Sequence, residues 1–280
     1  MLKYTLTGGT KELTFTYRET NITRTVTVYQ IRKLSDNTLG GYIQSTANLD
    51  QSGDCWVGPD GHVIDRARVT GNAQVLGESL TNFSVVYGAA IIGGDAVVEC
   101  GAMVGGQARV LENATVTGKA WVGGNARVYG EALIGGEARV GWTDPTSRSN
   151  QARVSGRAII ADRSVLAGDS RAYGQVKIMG ETMLTGHSRA FGKASLSGRP
   201  RQSSPLVNIQ SAAHLTENAR ISGCAVLKDQ ARLEKDAVLY GPIQLTEGVI
   251  QGQVLVTGCP DVDPVDCPAE PALELGSVGC

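Results

Sequence analysis

The sequence predicts an all-β chain wound into a single-stranded parallel β-helix. Three observations carry this: a six-residue beat of small and aliphatic residues, outward rows that cohere at a spacing of eighteen residues, and a composition rich in glycine and poor in large rings. The beat is a small residue, any residue, an aliphatic residue, then three mostly polar or glycine positions. Its clearest run pairs Ala96/Val98, Ala102/Val104, Ala108/Val110, Ala114/Val116, Ala120/Val122, Ala126/Val128, Ala132/Ile134 and Ala138/Val140 without a slip. Two inward residues separated by one outward residue describe a short strand whose alternate side chains face a core. So short a strand cannot bury its apolar side alone, and repeats must stack into a solenoid. A period of six matches neither helical period, which excludes helix. The 36 Gly against 3 Phe fit recurring turns around a core of Ala, Val, Ile and Leu.

Taken in order, residues 1–46 read as an N-terminal β cap. Glu12 to Tyr17 and Arg24 to Ile31 alternate polar and apolar side chains around Glu19-Thr20-Asn21, the pattern of a β-hairpin. An open solenoid exposes unpaired strand edges, so the hairpin is expected to cover the first coil. Residues 47–258 form the hexapeptide coil. Ala67/Val69 and Ala73/Val75 precede a one-residue shift between Ser79 and Ser84. Two stretches rich in Pro, Ser, Arg and Asp, Trp142 to Asn150 and Gly198 to Gln210, interrupt the beat and read as extruded loops (142–150 and 198–210). Residues 259–280 carry four prolines and no hexad, the composition of an irregular tail.

The outward rows give the turn length. At a spacing of eighteen, Arg153, Arg171 and Arg189 fall in one row, with Gly156, Gly174 and Gly192 three residues after each, and Arg109 and Arg127 make a second matched pair. Taking eight residues for the first loop and thirteen for the second joins these to Arg220, with Gly223, in one six-membered arginine ladder. A second row, Lys119, Glu137, Arg163 and Glu181, alternates in sign, as cross-strand pairing favours. Three hexapeptides per turn and roughly ten turns follow, a prism of about 50 Å. Val110, Val128, Val154 and Ile221 are expected to share one inward stack.

Repeats such as Gly124-Asn125-Ala126-Arg127-Val128 resemble those of the left-handed parallel β-helix of hexapeptide-repeat acyltransferases. The left hand is implied by that resemblance alone. The chain up to about Gly258 is similar to the bacterial YdcK-like proteins, on its N-terminal β segment, Gly40-Gly41-Tyr42-Ile43 and Gly53-Asp54-Cys55-Trp56. The resemblance implies an acyl-CoA-dependent O- or N-acyltransferase, with one histidine as general base and acyl-CoA in a cleft between subunits of a homotrimer.

The net charge of −1 argues against a general polyanion binder, nucleic acid included, while leaving room for a local basic stripe. No apolar run approaches the roughly 20 residues of a membrane span, and no signal-peptide pattern opens the chain. The cytoplasm is the expected compartment. The six cysteines do not read as a disulfide framework. Cys259, Cys267 and Cys280 fit no common zinc spacing, and no metal site is predicted.

Three histidines are the candidate bases. His62 lies beside Asp65 where the cap would cover it. His187 falls in a row with Gln107, Asn125, Gln151, Asp169 and Asn218, beside the ladder. His214 falls in a row with Arg139, Val165, Met183 and Arg232, on a face flanked by both loops, which makes it the first choice and His187 the second. Each also reads as a solvated surface histidine. A zinc enzyme of the γ-class carbonic anhydrase kind would need all three on neighbouring strands, and their separation along the axis sets it aside. Arg127, Arg153, Arg171 and Arg189, beside Tyr129, Tyr173 and Phe191, read as a groove for an anionic or glycan ligand, Arg giving forked donors and the rings flat contact. The same face also reads as a solvated surface that resists aggregation. Two functions stay open: a structural or binding scaffold without a cofactor, and an acyltransferase using acyl-CoA.

Overall fold

The computed structural model describes residues 2–16, 21–77, 80–142, 150–198, 207–209, 213–223, 225–240, 243–253 and 255–257. Three sheets of fourteen, eleven and ten strands form the walls of a left-handed β-helical prism of about ten turns. Successive strands along the chain fall on successive walls, so each wall receives one short parallel strand per coil. A single short 3-10 turn at Thr46–Asn48 interrupts the β structure of the described residues, and no helix among them is long and apolar enough to cross a membrane.

The local pattern explains the wall. Arg127–Val128 pairs with Arg109–Val110 before it and Arg153–Val154 after it. Backbone N–H groups of Arg109 and Leu111 donate to the carbonyls of Ala126 and Val128, both at 2.9 Å, and every coil repeats this exchange. Ala and the aliphatic residue two positions later point inward and are fully buried, as at Ala126/Val128 and Ala138/Val140. Ser164, Ser170, Thr182 and Ser188 take the small position in the middle coils and are equally buried. The Ser164 hydroxyl donates to the Ala161 carbonyl at 2.6 Å, so this polar group costs little inside the core. At one edge Gly130, Gly156, Gly174 and Gly192 stack at positive φ. A Cβ on Gly174 would lie 2.8 Å from the Gly192 carbonyl oxygen, which is why the column keeps glycine.

Eighteen residues separate neighbours within a wall, with local departures. The predicted contraction is present: strands Leu80–Asn82 and Val85–Val86 begin five residues apart rather than six. The first insertion adds eight residues, because Arg127 pairs with Arg153. The second adds seven, not thirteen. Val207–Ile209 is a strand of the coil, pairing with Thr182–Leu184, and Gly198 ends the strand Ser195–Gly198. The loops thus reduce to residues 143–149 and 199–206, which lie outside the described residues, as does the tail after 257. One consequence corrects the expected core stack. Val110, Val128 and Val154 do stack, but Ile221, although buried, pairs with Leu196 and Leu239 on another wall.

The N-terminus is a hairpin of β1 (Tyr4–Thr16) and β2 (Thr23–Lys33), followed by β3 (Leu39–Ile43), which is antiparallel to β2 and parallel to His62–Ile64. The hairpin begins earlier than its alternation suggests, because a bulge between Leu6 and Thr10, with Gly8 at φ +82°, hides the pattern. Its base seals the open end of the prism. Tyr4 is buried, its hydroxyl donates to the Leu49 carbonyl at 2.8 Å, and Tyr4, Ile31 and Ile43 join the main core. Its distal half forms an arm along the outside, where Phe15, Val26 and Val28 pack on Ile64. The wall carrying the arm is called here the arm face. The next wall, with Val85, Met103, Trp121, Val165, Met183 and Val226 outward, is the apolar face. The third is the arginine face.

The alternating charge row forms as expected in part. Arg163 reaches Glu137 at 3.5 Å and Glu181 at 3.2 Å, bridging three coils. These pairs are exposed and each contributes well under about 1 kcal/mol, so their effect is on register more than on stability.

Val128→Asp tests the core directly. The carboxylate would stand between Val110 and Val154, where no partner reaches it, at a cost of several kcal/mol. The expected result is a melting temperature lowered by more than about 10 °C or loss of the folded circular dichroism signal. A wild-type melt would overturn the packing described.

Candidate functional site

The outward residue of each strand on the arginine face is set by the beat. Reading direct backbone partners in order gives Ile91, Arg109, Arg127, Arg153, Arg171, Arg189, His214, Arg232 and Val249. Arg127, Arg153, Arg171 and Arg189 are therefore nearest neighbours on one wall. Arg220 does not continue the line; it pairs with Ser195 and Val238 on the arm face. His214 takes its place, between Arg189 and Arg232, and leaves the row of Arg139, Val165 and Met183, which continues through Asn208 and Val226. The cause is the one strand read as loop. Val207/Ile209 stands six residues before Ala213/Leu215 and fits the beat with Val in the small position, a signal available in the sequence.

The row is electrostatically uncompensated. Among the described residues, no carboxylate lies within 4.0 Å of Arg109, Arg127, Arg153, Arg171, Arg189 or Arg232. Neighbouring cations one strand apart repel by about 1 kcal/mol in water, and more where the surface lowers the local dielectric. His214 feels this. Burial first, then Arg189 and Arg232, push its imidazole below the ordinary histidine range, with Glu234 opposing. A neutral ring is the result near pH 7.

Beside the cations runs the aromatic row. Tyr173 and Phe191 stack with centroids 5.1 Å apart and planes 5° from parallel. One coil earlier Ser155 takes the ring position, opposite Tyr173 in the sheet, and Tyr129 comes one coil before that. The small serine leaves a notch between two rings, a depression of about 220 Å³ lined by Tyr129, Arg153, Ser155, Arg171, Ala172, Tyr173 and Arg189. It can take a flat ring between tyrosines with guanidinium forks alongside.

The other histidines divide. His187 lies on the arginine face, in the turn leading into Arg189, and its Nε2 is 3.6 Å from Asp169. Its side chain is 75 % exposed, so solvent and not a cleft surrounds it. Because Arg189 neighbours His214, the structure brings both candidate bases to one wall, one coil apart. Asn218, expected in the His187 row, instead donates to Asp236 at 3.0 Å. His62 is covered by the arm: it stacks on Tyr42 at 5.7 Å, its Nε2 is 3.3 Å from Lys11 Nζ, and burial followed by Lys11 lowers its pKa. The two insertions leave the coil at the two edges of the apolar face, after Arg139–Trp142 and after Ser195–Gly198. The face whose two edges they mark is therefore the apolar one, and His214 stands on the wall beside it.

The sign of the pH dependence follows from the lowered histidines. The folded chain binds fewer protons than the unfolded one once pH falls below the ordinary value of about 6.5. Stability linked to neutral His214 and His62 is fully present above that value and is lost as pH falls from it through their lowered folded-state values. His214→Gln is expected to flatten the slope of unfolding free energy against pH between about 6.5 and 5, and Arg189→Ala to raise the His214 pKa read by NMR. An unchanged slope and an unshifted resonance would contradict the placement of His214 between two arginines.

No protein-family model and no curated protein matches this chain.

Proposed function

We propose that this β-solenoid is a binding scaffold whose arginine face takes an anionic glycan laid along the prism axis. The observation that carries it is the row of Arg109, Arg127, Arg153, Arg171, Arg189, His214 and Arg232 on consecutive coils, without carboxylate partners among the described residues and beside a notched aromatic row. A linear ligand meets one cation per strand spacing from Arg109 to Arg189, over about 19 Å, and Arg232 beyond the neutral His214. Guanidinium forks suit carboxylate or sulfate groups, and the rings suit sugar faces. The row alone would serve any polyanion; the notch at Ser155 favours one that carries rings.

Polygalacturonate is a suitable probe, with neutral dextran as its control. Arg171→Ala with Arg189→Ala is expected to weaken binding about tenfold or more, in a manner that fades as salt rises. Ser155→Tyr fills the notch while leaving every charge in place, and should also weaken binding; His214→Ala should change it little. Binding indifferent to both the double arginine variant and Ser155→Tyr would end this reading.

A second reading, acyl transfer from acyl-CoA, is favoured by one observation: a half-buried, neutral imidazole at His214 set between two arginines. In that reading His214 is the general base, His187 its neighbour, and Arg189 and Arg232 hold phosphate groups of the donor. The kinship with YdcK-like proteins, a cytoplasmic home and a homotrimer packed through the apolar face belong to the same proposal. Acetyl-CoA turnover over a panel of sugars and amines, lowered about a hundredfold or more by His214→Ala, would support it.

A further inference from the structure

The edge between the arginine face and the arm face holds a depression of about 520 Å³ lined by Arg157, Gln175, Lys177, Lys193, Ser195 and Arg220. Cations make up most of this lining and carboxylates none of it. The residues come from four successive coils. Lys177, Ser195 and Arg220 are direct partners along the arm face, while Arg157, Gln175 and Lys193 stack at the turn, their N–H groups donating to Gly174, Gly192 and Glu217 carbonyls at 2.6 to 2.7 Å.

The acids nearby stand toward the two ends, with Glu217 in the turn of the last coil of the depression. Glu131 holds Arg157 at 2.8 Å on the coil before the depression, and Asp236 accepts from Asn218 at 3.0 Å on the side after it. Between these, no carboxylate of the described residues comes within 4.0 Å of the ammonium groups of Lys177 or Lys193. Two lysines one coil apart therefore line a concave space without an ion-pair partner among the described residues.

We propose that this edge depression binds a short inorganic oligophosphate, at a site separate from the arginine row. Its volume falls in the range of small-molecule sites, roughly 300–1,000 Å³. The lining offers no aromatic or aliphatic residue on which a base or sugar could rest, in contrast to the notch at Ser155. What it offers is charge: Lys177 and Lys193 on adjoining coils, flanked by Arg157, which Glu131 already pairs, and by Arg220, within about 14 Å of wall, the reach of four strands. A glycan would meet the same spacing of charge but find no ring to rest on, whereas linked phosphoryl groups place an oxyanion against each lysine without one. Ammonium point charges and guanidinium forks are both suited to tetrahedral phosphate. At one end Glu131 already occupies Arg157, and at the other Glu217 and Asp236 repel an anion that runs on, which favours a short chain over a long polyphosphate or a nucleic acid strand.

The experiment is calorimetric titration of the whole chain with sodium tripolyphosphate at low ionic strength. Saturable one-to-one binding is expected, weakened about tenfold or more by Lys177→Ala with Lys193→Ala and less than about twofold by Arg171→Ala with Arg189→Ala. Circular dichroism melts of each variant establish that the coil is intact. Absence of saturable binding overturns the proposal. So does equal weakening by the two double variants, which would move the anion to the arginine row, and so does orthophosphate binding as tightly as tripolyphosphate, which would reduce the effect to diffuse screening. The glycan reading is tested with a different ligand and different residues, so either can fail while the other stands.

Discussion

The hydrogen bonds that each coil makes to the next govern everything else in this chain. Individually such a bond contributes about 1 kcal/mol net, but here it recurs at both ends of every two-residue strand and fixes neighbouring coils in register. Register then turns a sequence repeat into a row in space. The exchange also survives insertion: Arg127 N–H donates to the Ala152 carbonyl at 2.9 Å although eight extra residues separate the two strands. Material pushed out at an edge leaves the walls unchanged, which is how the arginine row runs unbroken past the first insertion.

A structure built from contacts between nearest coils must solve its ends separately. At the N-terminus the solution is a folded arm. Tyr4 plugs the core, β3 continues the parallel wall, and β1 and β2 turn the exposed edge into an antiparallel pair. Burial falls away toward the other end: Leu245, Ile250 and Val256 hold inward positions yet are only partly covered. Cohesion is therefore uneven along the axis, firmest where the arm doubles the packing at Ile64 and weakest in the last described coils.

The beat made most of the fold legible, and one missed strand shows how sharply legibility depends on it. Val207/Ile209 fits the beat as Val176/Ile178 does, but it lies in a stretch whose Pro, Ser and Arg content, with Pro205 just before it, has the composition of a loop. That single hexad is one wall of the prism. Omitting it rotates every later residue by one face, putting Arg220 in place of His214 on the arginine row and Ile221 in the stack of Val128; including it moves Arg220 and Ile221 to the arm face. The row within each block needed only the spacing of eighteen and could be read directly. The partners of His62 could not, since Lys11 and Tyr42 reach it through an arm whose path no local pattern encodes.

Two charged columns of the same coil handle stacking in opposite ways, and the contrast bears on function more than either column alone. Glu137, Arg163 and Glu181 alternate, so each charge finds its opposite one strand away. The hexapeptide plan thus permits neutralisation wherever every second repeat carries an acid. The arginine row forgoes it over five successive coils and adds His214 and Arg232. Repulsion between these groups opposes folding, and the core beneath must outweigh it; Ala126/Val128 and its neighbours do so by complete burial. A chain with a net charge of −1 has then aligned cations along one wall and one edge, and the acids that share them, Asp169, Glu234 and Glu131 among these, leave the five arginines from Arg109 to Arg189 without an ion pair among the described residues. Such a field is weak in its average and strong in place, and it is in place that an anion is drawn to a surface. Shape then divides the work: the wall offers flat rings and a slot, the edge a hollow with charge alone.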